Sequence, residues 1–112
     1  MPTLFTKIIN REIPADIVYE DEQCLAFRDI DPKAPTHILI IPKKEISKIS
    51  EAVAEDQKLL GHLLLKAGDI ARSEGVSDNF RLVVNNGESA GQTVFHLHIH
   101  LMAGRAFNWP PG

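Results

Sequence analysis

Cysteine is nearly missing from this chain: Cys24 stands alone among 112 residues. A single thiol cannot close an internal disulfide, and with no secretory leader the expectation is a reducing, cytoplasmic setting. Cys24 itself reads as a small apolar residue in a strand. Long apolar runs are missing too. None approaches the ~20 residues of a membrane span, so no membrane partner is expected. Nor is there an excess of either charge: 12 basic and 15 acidic residues give a net −3, and Lys43-Lys44 is the only adjacent basic pair. That balance argues against nucleic acid as a partner. No repeat or low-complexity segment divides residues 1–112, which are expected to form one domain, large enough to fold without a metal or disulfide staple.

The pattern of what is present gives an α+β chain. Thr3 to Asn10 reads as a short helix, with Thr3 as its cap and Leu4, Phe5, Ile8 and Ile9 as its stripe. Pro14 ends any continuation. Ile17–Glu20 and Gln23–Arg28 are strand candidates joined by a tight turn at Asp21-Glu22. Thr36–Ile41 is a β-branched apolar run stopped by Pro42, which suits a central strand buried on both faces. Between Ser50 and Glu74 the spacing becomes helical: Leu60, Leu63, Leu64, Ala67, Ile70 and Ala71 recur at three and four residues, and Gly75 closes the run. Asn79–Asn85 is strand-like and ends at the turn pair Asn86-Gly87. The tail, 103–112, cannot continue a sheet, because its prolines lack N–H donors. The expected fold is a mainly antiparallel sheet of about five strands, one long helix on one face and a small N-terminal helix.

The segment Phe95–Met102 alternates without a break. Phe95, Leu97, Ile99 and Leu101 share one parity and His96, His98 and His100 the other, so a strand here has an apolar face and a histidine face. Three readings compete: a solvated polar face, a metal site, and chemistry on a phosphate. Residues i and i+2 lie ~6.7 Å apart and can converge on one ion, but i and i+4 lie ~13 Å apart. A two-plus-one site with His37 keeps the metal reading open. The phosphate reading is supported by the preceding loop, where Gly87 and Gly91 admit close backbone approach and Asn85, Ser89, Gln92 and Thr93 offer donors.

The run His96-Leu97-His98-Ile99-His100-Leu101-Met102 resembles the histidine triad signature. The resemblance extends through Phe27-Arg28-Asp29-Ile30, Ala34-Pro35-Thr36-His37, Ile41-Pro42-Lys43-Lys44, Val83-Val84-Asn85 and Gly91-Gln92. The ending Asn108-Trp109-Pro110-Pro111-Gly112 is similar to that of the nucleotide-binding branch of the histidine triad (HIT) superfamily. The resemblance implies a homodimeric purine nucleoside phosphoramidase without cofactor or metal. By position, His98 is its nucleophile, His100 stabilises phosphate charge, and His96 and His37 orient the nucleophile. Asn85, Gly91, Gln92 and Thr93 would meet the phosphate or leaving group. At Thr93 the branch commonly has serine, and the extra methyl stiffens χ1. Asp29 would bind the ribose. Leu4, Phe5, Ile8, Phe27, Ile30 and Leu39 would grip the purine with little discrimination between adenine and guanine. Trp109 would contact the partner subunit, and the long helix with the strand before the glycine loop would form the dimer interface. His62 is expected to be a surface or interface histidine. A dinucleoside polyphosphate hydrolase and a nucleotide- or zinc-binding adaptor are the alternatives.

Overall fold

The computed structural model describes residues 2–112. Helix α1 spans Leu4–Ile9, and Thr3 caps it in a reciprocal box with Thr6. Strands β1 (Ile17–Glu20) and β2 (Cys24–Arg28) form a hairpin, β3 runs Thr36–Pro42, helix α2 spans Gln57–Ser73, and strands β4 (Phe80–Val83) and β5 (Ile99–Ala103) complete the sheet. All pairs are antiparallel and the order is β1-β2-β3-β5-β4, with the apolar β3 in the middle as its composition requires. The result is the expected α+β architecture. Among the described residues no helix is long and apolar enough to cross a membrane.

Alternation divides the sheet between two cores. Cys24, Ala26, Ile38, Ile40, Ile99 and Leu101 face α2 and meet Leu63, Ala67, Ile70 and Ala71. Leu25, Phe27, Leu39 and Ile41 face the other way and meet Phe5 and Ile8 of α1. Cys24 is fully buried in the first core, and burial pushes its thiol up to about 12, as suits an inert apolar residue. Gly75 sits just beyond α2 with φ +74° and donates back to Arg72 O, the expected helix closure.

Four boundaries differ from the sequence expectation. The helical run begins at Gln57 rather than near Ser50; residues 49–51 and 54–56 form two short 3-10 turns, and Asp56 accepts the Val53 N–H. Leu64 leaves the buried stripe and is 54% exposed. Ladder pairing of β4 stops at Val83, opposite His100. Val84 and Asn85 therefore have no strand beside them. β5 itself begins only at Ile99, because Leu97 N–H donates to Ile46 O outside the sheet, and Phe95 points outward, 42% exposed. Ala103 stays in the ladder opposite Thr36, so the tail begins at Gly104.

Candidate active site

Four histidines gather on the α1 side of the sheet. His100 lies across from Leu39 in the β3–β5 register, and His37 across from Met102. His98 stands 5.0 Å from His100 and His100 5.2 Å from His37, measured between ring centroids. His96 is buried beside Pro42, with Phe5 edge-on to its ring. Leu97 joins the α2-side core while His96 and His98 lie against Phe5 on the α1 side, so the triad converges although only His100 lies within a strand.

Hydrogen bonds assign a tautomer to each ring, since a carbonyl only accepts and a backbone N–H only donates. His98 Nδ1 is 2.8 Å from His96 O and must donate to it, which leaves His98 Nε2 with a free lone pair. His96 Nε2 donates to Pro42 O at 2.7 Å, and its Nδ1 meets no partner among the described residues. Lys33 N–H donates to His37 Nδ1, so the His37 proton is on Nε2 and goes to His100 Nδ1 at 3.0 Å. His100 in turn carries its own proton on Nε2. One ring offers a nucleophilic nitrogen and its neighbour a donor. The sequence reading gave both His96 and His37 to the nucleophile. Instead the backbone carbonyl of His96 orients His98, and the His37 side chain orients His100.

Burial lowers the pKa of His98 and His96, and it is also the leading cause for His37. His100 falls furthest, to about 4, through burial and the neighbouring His98 and His37. The rings are thus neutral at pH 7, the form a nucleophile requires. Turnover should therefore persist as pH falls to the ordinary histidine value of 6.5 and decline only below it. An acid limb centred above that value in a kcat profile contradicts this assignment. Stability has the matching sign: below 6.5 the unfolded chain binds more protons, so stability falls from there toward the folded value of about 4 at His100.

His98 and His100 open on a cleft of about 620 Å³ that brings together Leu4, Phe5, Ile8, Phe27, Asp29, Ile30, Leu39 and Thr93 around them. Leu4 and Ile30, 52% and 100% exposed, form its mouth rather than its floor. Phe5 stands edge-on to His98 at 5.0 Å and to Phe27 at 5.4 Å, joining the apolar slot to the nucleophile. Asp29 Oδ2 lies 3.4 Å from His37 Nε2, and its Oδ1 accepts Asp31 N–H. Ile13, Pro14, Ala15 and Val94 also line the cleft. The sequence signal for the first three was Pro14, which marks the helix stop but not the wall that follows it.

Four residues expected to make contacts do not line the cleft. Asn85 and Gly91 lie near each other: Gly91 has φ +102°, and a Cβ there would come within 3.6 Å of Asn85 Nδ2. Gln92 is buried and fully bonded, accepting Gly87 N–H and donating to Ser47 O and Val94 O. It holds the loop rather than a ligand. Trp109, 84% exposed, does not reach the cleft of its own chain.

Asp29, His37 and His100 place donor atoms within 4.8 Å of one another. They do not fit a metal ion. A ligating nitrogen must be bare, yet Lys33 N–H occupies His37 Nδ1 and forces the proton onto Nε2, the atom facing the other two. A second group, Asp21, Cys24 and His62, is complete as a hydrogen-bond buckle. Asp21 Oδ1 accepts Gln23 and Cys24 N–H, while Oδ2 accepts Tyr19 Oη and His62 Nε2 at 2.8 and 2.6 Å. Burial pushes the Asp21 carboxyl up, but these bonds outweigh it and hold the group well below the usual range. His62 thus ties α2 to the β1–β2 turn instead of lying free at the surface. His62→Ala should cost about 1–2 kcal/mol in a denaturation series; an unchanged midpoint contradicts the buckle.

The HIT domain family matches residues 10–107. An uncharacterized HIT-like protein of Synechocystis sp. is 62% identical over 110 residues, 98% of this chain and 96% of that one. A 14 kDa zinc-binding protein of Zea mays is 54% identical over 113 residues, 99% and 88% of the two chains. The crystal structure of a HIT family hydrolase from Legionella pneumophila superposes with TM-score 0.96 at 50% identity, covering 99% of this chain and all of that one. A histidine triad nucleotide-binding protein from Candida albicans gives 0.84 at 30% identity, over 97% and 83%. With the HIT domain family matched over residues 10–107 of its 112, the chain belongs to the HIT family.

Proposed function

We propose that this protein is a hydrolase that cleaves the P–N bond of purine nucleoside 5′-phosphoramidates, and the P–O bond to the carboxylate of related aminoacyl adenylates, without a metal. The observation that carries the reading is the pair of tautomers: His98 presents a bare Nε2 and His100 an Nε2–H at one end of an apolar cleft beside Asp29. The similarity to a HIT family hydrolase and to a nucleotide-binding triad protein supports hydrolysis and a nucleotide substrate.

In the first step the His98 Nε2 lone pair attacks phosphorus, the P–N bond breaks, and the amine leaves with that electron pair, taking a proton from solvent. In the second, water attacks the same phosphorus, the P–N bond to His98 breaks, and the water proton returns to solvent. His100 Nε2–H donates to the phosphoryl oxygens as their charge builds, and His37 keeps it in the donating tautomer. Asp29 accepts the ribose hydroxyls. The purine lies against Phe5, Phe27 and Leu39, a surface that grips adenine and guanine alike. Trp109 is assigned to the partner subunit's site; the exposed Leu64 and Leu65 of α2 support a homodimer.

Mass spectrometry of protein quenched during turnover of an adenosine phosphoramidate tests the reading: a nucleotidyl adduct on His98 is expected. Turnover of a diadenosine polyphosphate far above that of the phosphoramidate would overturn the substrate class in favour of a dinucleoside polyphosphate hydrolase.

A further inference from the structure

His37 joins two groups of the cleft without lining the cleft itself. Its ring is buried, and its Nδ1 accepts Lys33 N–H, so the proton on Nε2 is the only one it can give. Two acceptors face that proton. His100 Nδ1 is 3.0 Å from His37 Nε2, and Asp29 Oδ2 is 3.4 Å from it. His100 stands beside the nucleophile, and Asp29 is the residue assigned to the ribose.

Asp29 is held in this arrangement at both backbone and side chain. Its N–H donates to His37 O at 2.9 Å, and its Oδ1 accepts Asp31 N–H at 2.8 Å. The oxygen left for a ligand is Oδ2, the one beside His37. With no other donor among the described residues, that anionic oxygen draws the His37 proton toward itself and weakens the bond to His100. The weakened bond is the one that keeps His100 in its Nε2–H tautomer. A ribose hydroxyl donated to Oδ2 satisfies the carboxylate and leaves the proton to His100.

We infer that Asp29 and His37 form a positioning relay, through which an occupied ribose site fixes His100 as the phosphate donor, so that ribonucleosides are selected by turnover as well as by binding. The inference rests on the proposed nucleotide reading and deepens it by giving the sugar a part in the chemistry. Hydroxyls that merely gripped the substrate would change KM alone.

The test compares an adenosine 5′-phosphoramidate with its 2′,3′-dideoxy counterpart. In the native protein, loss of the hydroxyls should raise KM and also lower kcat about five- to tenfold. In His37→Ala no proton is shared, so both substrates should be slow and the hydroxyls should change KM but not kcat. A native kcat that ignores the hydroxyls, or a kcat effect of the same size in His37→Ala, overturns the relay. Imidazole proton NMR of the native protein supplies a readout that needs no turnover. Saturating adenosine monophosphate should shift the His37 Nε2–H resonance well beyond the shift given by saturating 2′,3′-dideoxyadenosine monophosphate, and equal shifts overturn the relay. If neither phosphoramidate is cleaved yet the two monophosphates differ in this way, the phosphoramidase reading falls and the relay stands.

Discussion

His98→Ala should lower turnover of a nucleoside phosphoramidate by about 10⁴-fold or more, with little change in fold. The chemical effect is large because no other side chain can replace that nitrogen. His96 Nε2 is committed to Pro42 O, and its ring is sealed beneath Phe5. His100 Nδ1 accepts from His37, and its Nε2 carries a proton. Of the three triad rings, only His98 faces the cleft with a bare nitrogen. The structural effect is small because His98 makes one protein hydrogen bond, to His96 O, worth about 1 kcal/mol net. Nucleotide monophosphate should still bind, since Asp29 and the apolar slot are intact. Near-native turnover in a folded His98→Ala protein would remove the covalent mechanism. Lost turnover together with lost monophosphate binding would point to collapse of the cleft instead.

The contrast between these rings marks how far the sequence could be read. Strict alternation from Phe95 to Met102 correctly grouped the histidines, but it treated them as equivalent and continued the strand too far. The two faces separate before the ladder starts: Leu97 already joins the α2-side core and His98 already meets Phe5. The ladder begins at Ile99, where β3 lies alongside, and Leu97 bonds to Ile46 instead. Elements set by local chemistry were legible: the Thr3 cap, the turn after Tyr19 and Glu20, the apolar β3, and the Leu63, Ala67 and Ile70 stripe of α2. Relations set by backbone groups were not. Lys33 N–H fixes the His37 tautomer and Pro42 O that of His96, and a peptide group has no identity in the sequence. The His62–Asp21 bond spans 41 positions, a separation for which helical spacing carries no signal.

Gln92→Leu should be among the most destabilising single changes in the chain, costing roughly 3–5 kcal/mol, out of the ~5–15 kcal/mol typical of a domain. From the sequence Gln92 reads as a phosphate donor in a glycine-rich loop. In the structure it is 1% exposed, and its amide is spent on three backbone groups from three segments: Gly87 N at 2.8 Å, Ser47 O at 2.8 Å and Val94 O at 3.1 Å. Leucine nearly preserves the volume but takes the partner from one donor and two acceptors in three part-buried bonds, where an unmet group costs more than the bond it replaces was worth. Glutamate keeps the acceptor for Gly87 N–H yet turns a charged oxygen toward two carbonyls, so it should be no better tolerated. Gly87 begins the turn that leads through Gly91 to Thr93, and Val94 lines the cleft. Loosening this knot should therefore also lower kcat, because the loop no longer holds one position beside His98. Denaturation midpoints and steady-state kinetics measured together separate this positioning role from direct contact. A Gln92→Leu protein of native stability, altered only in KM, would restore Gln92 to the ligand's contacts and remove it from the loop's support.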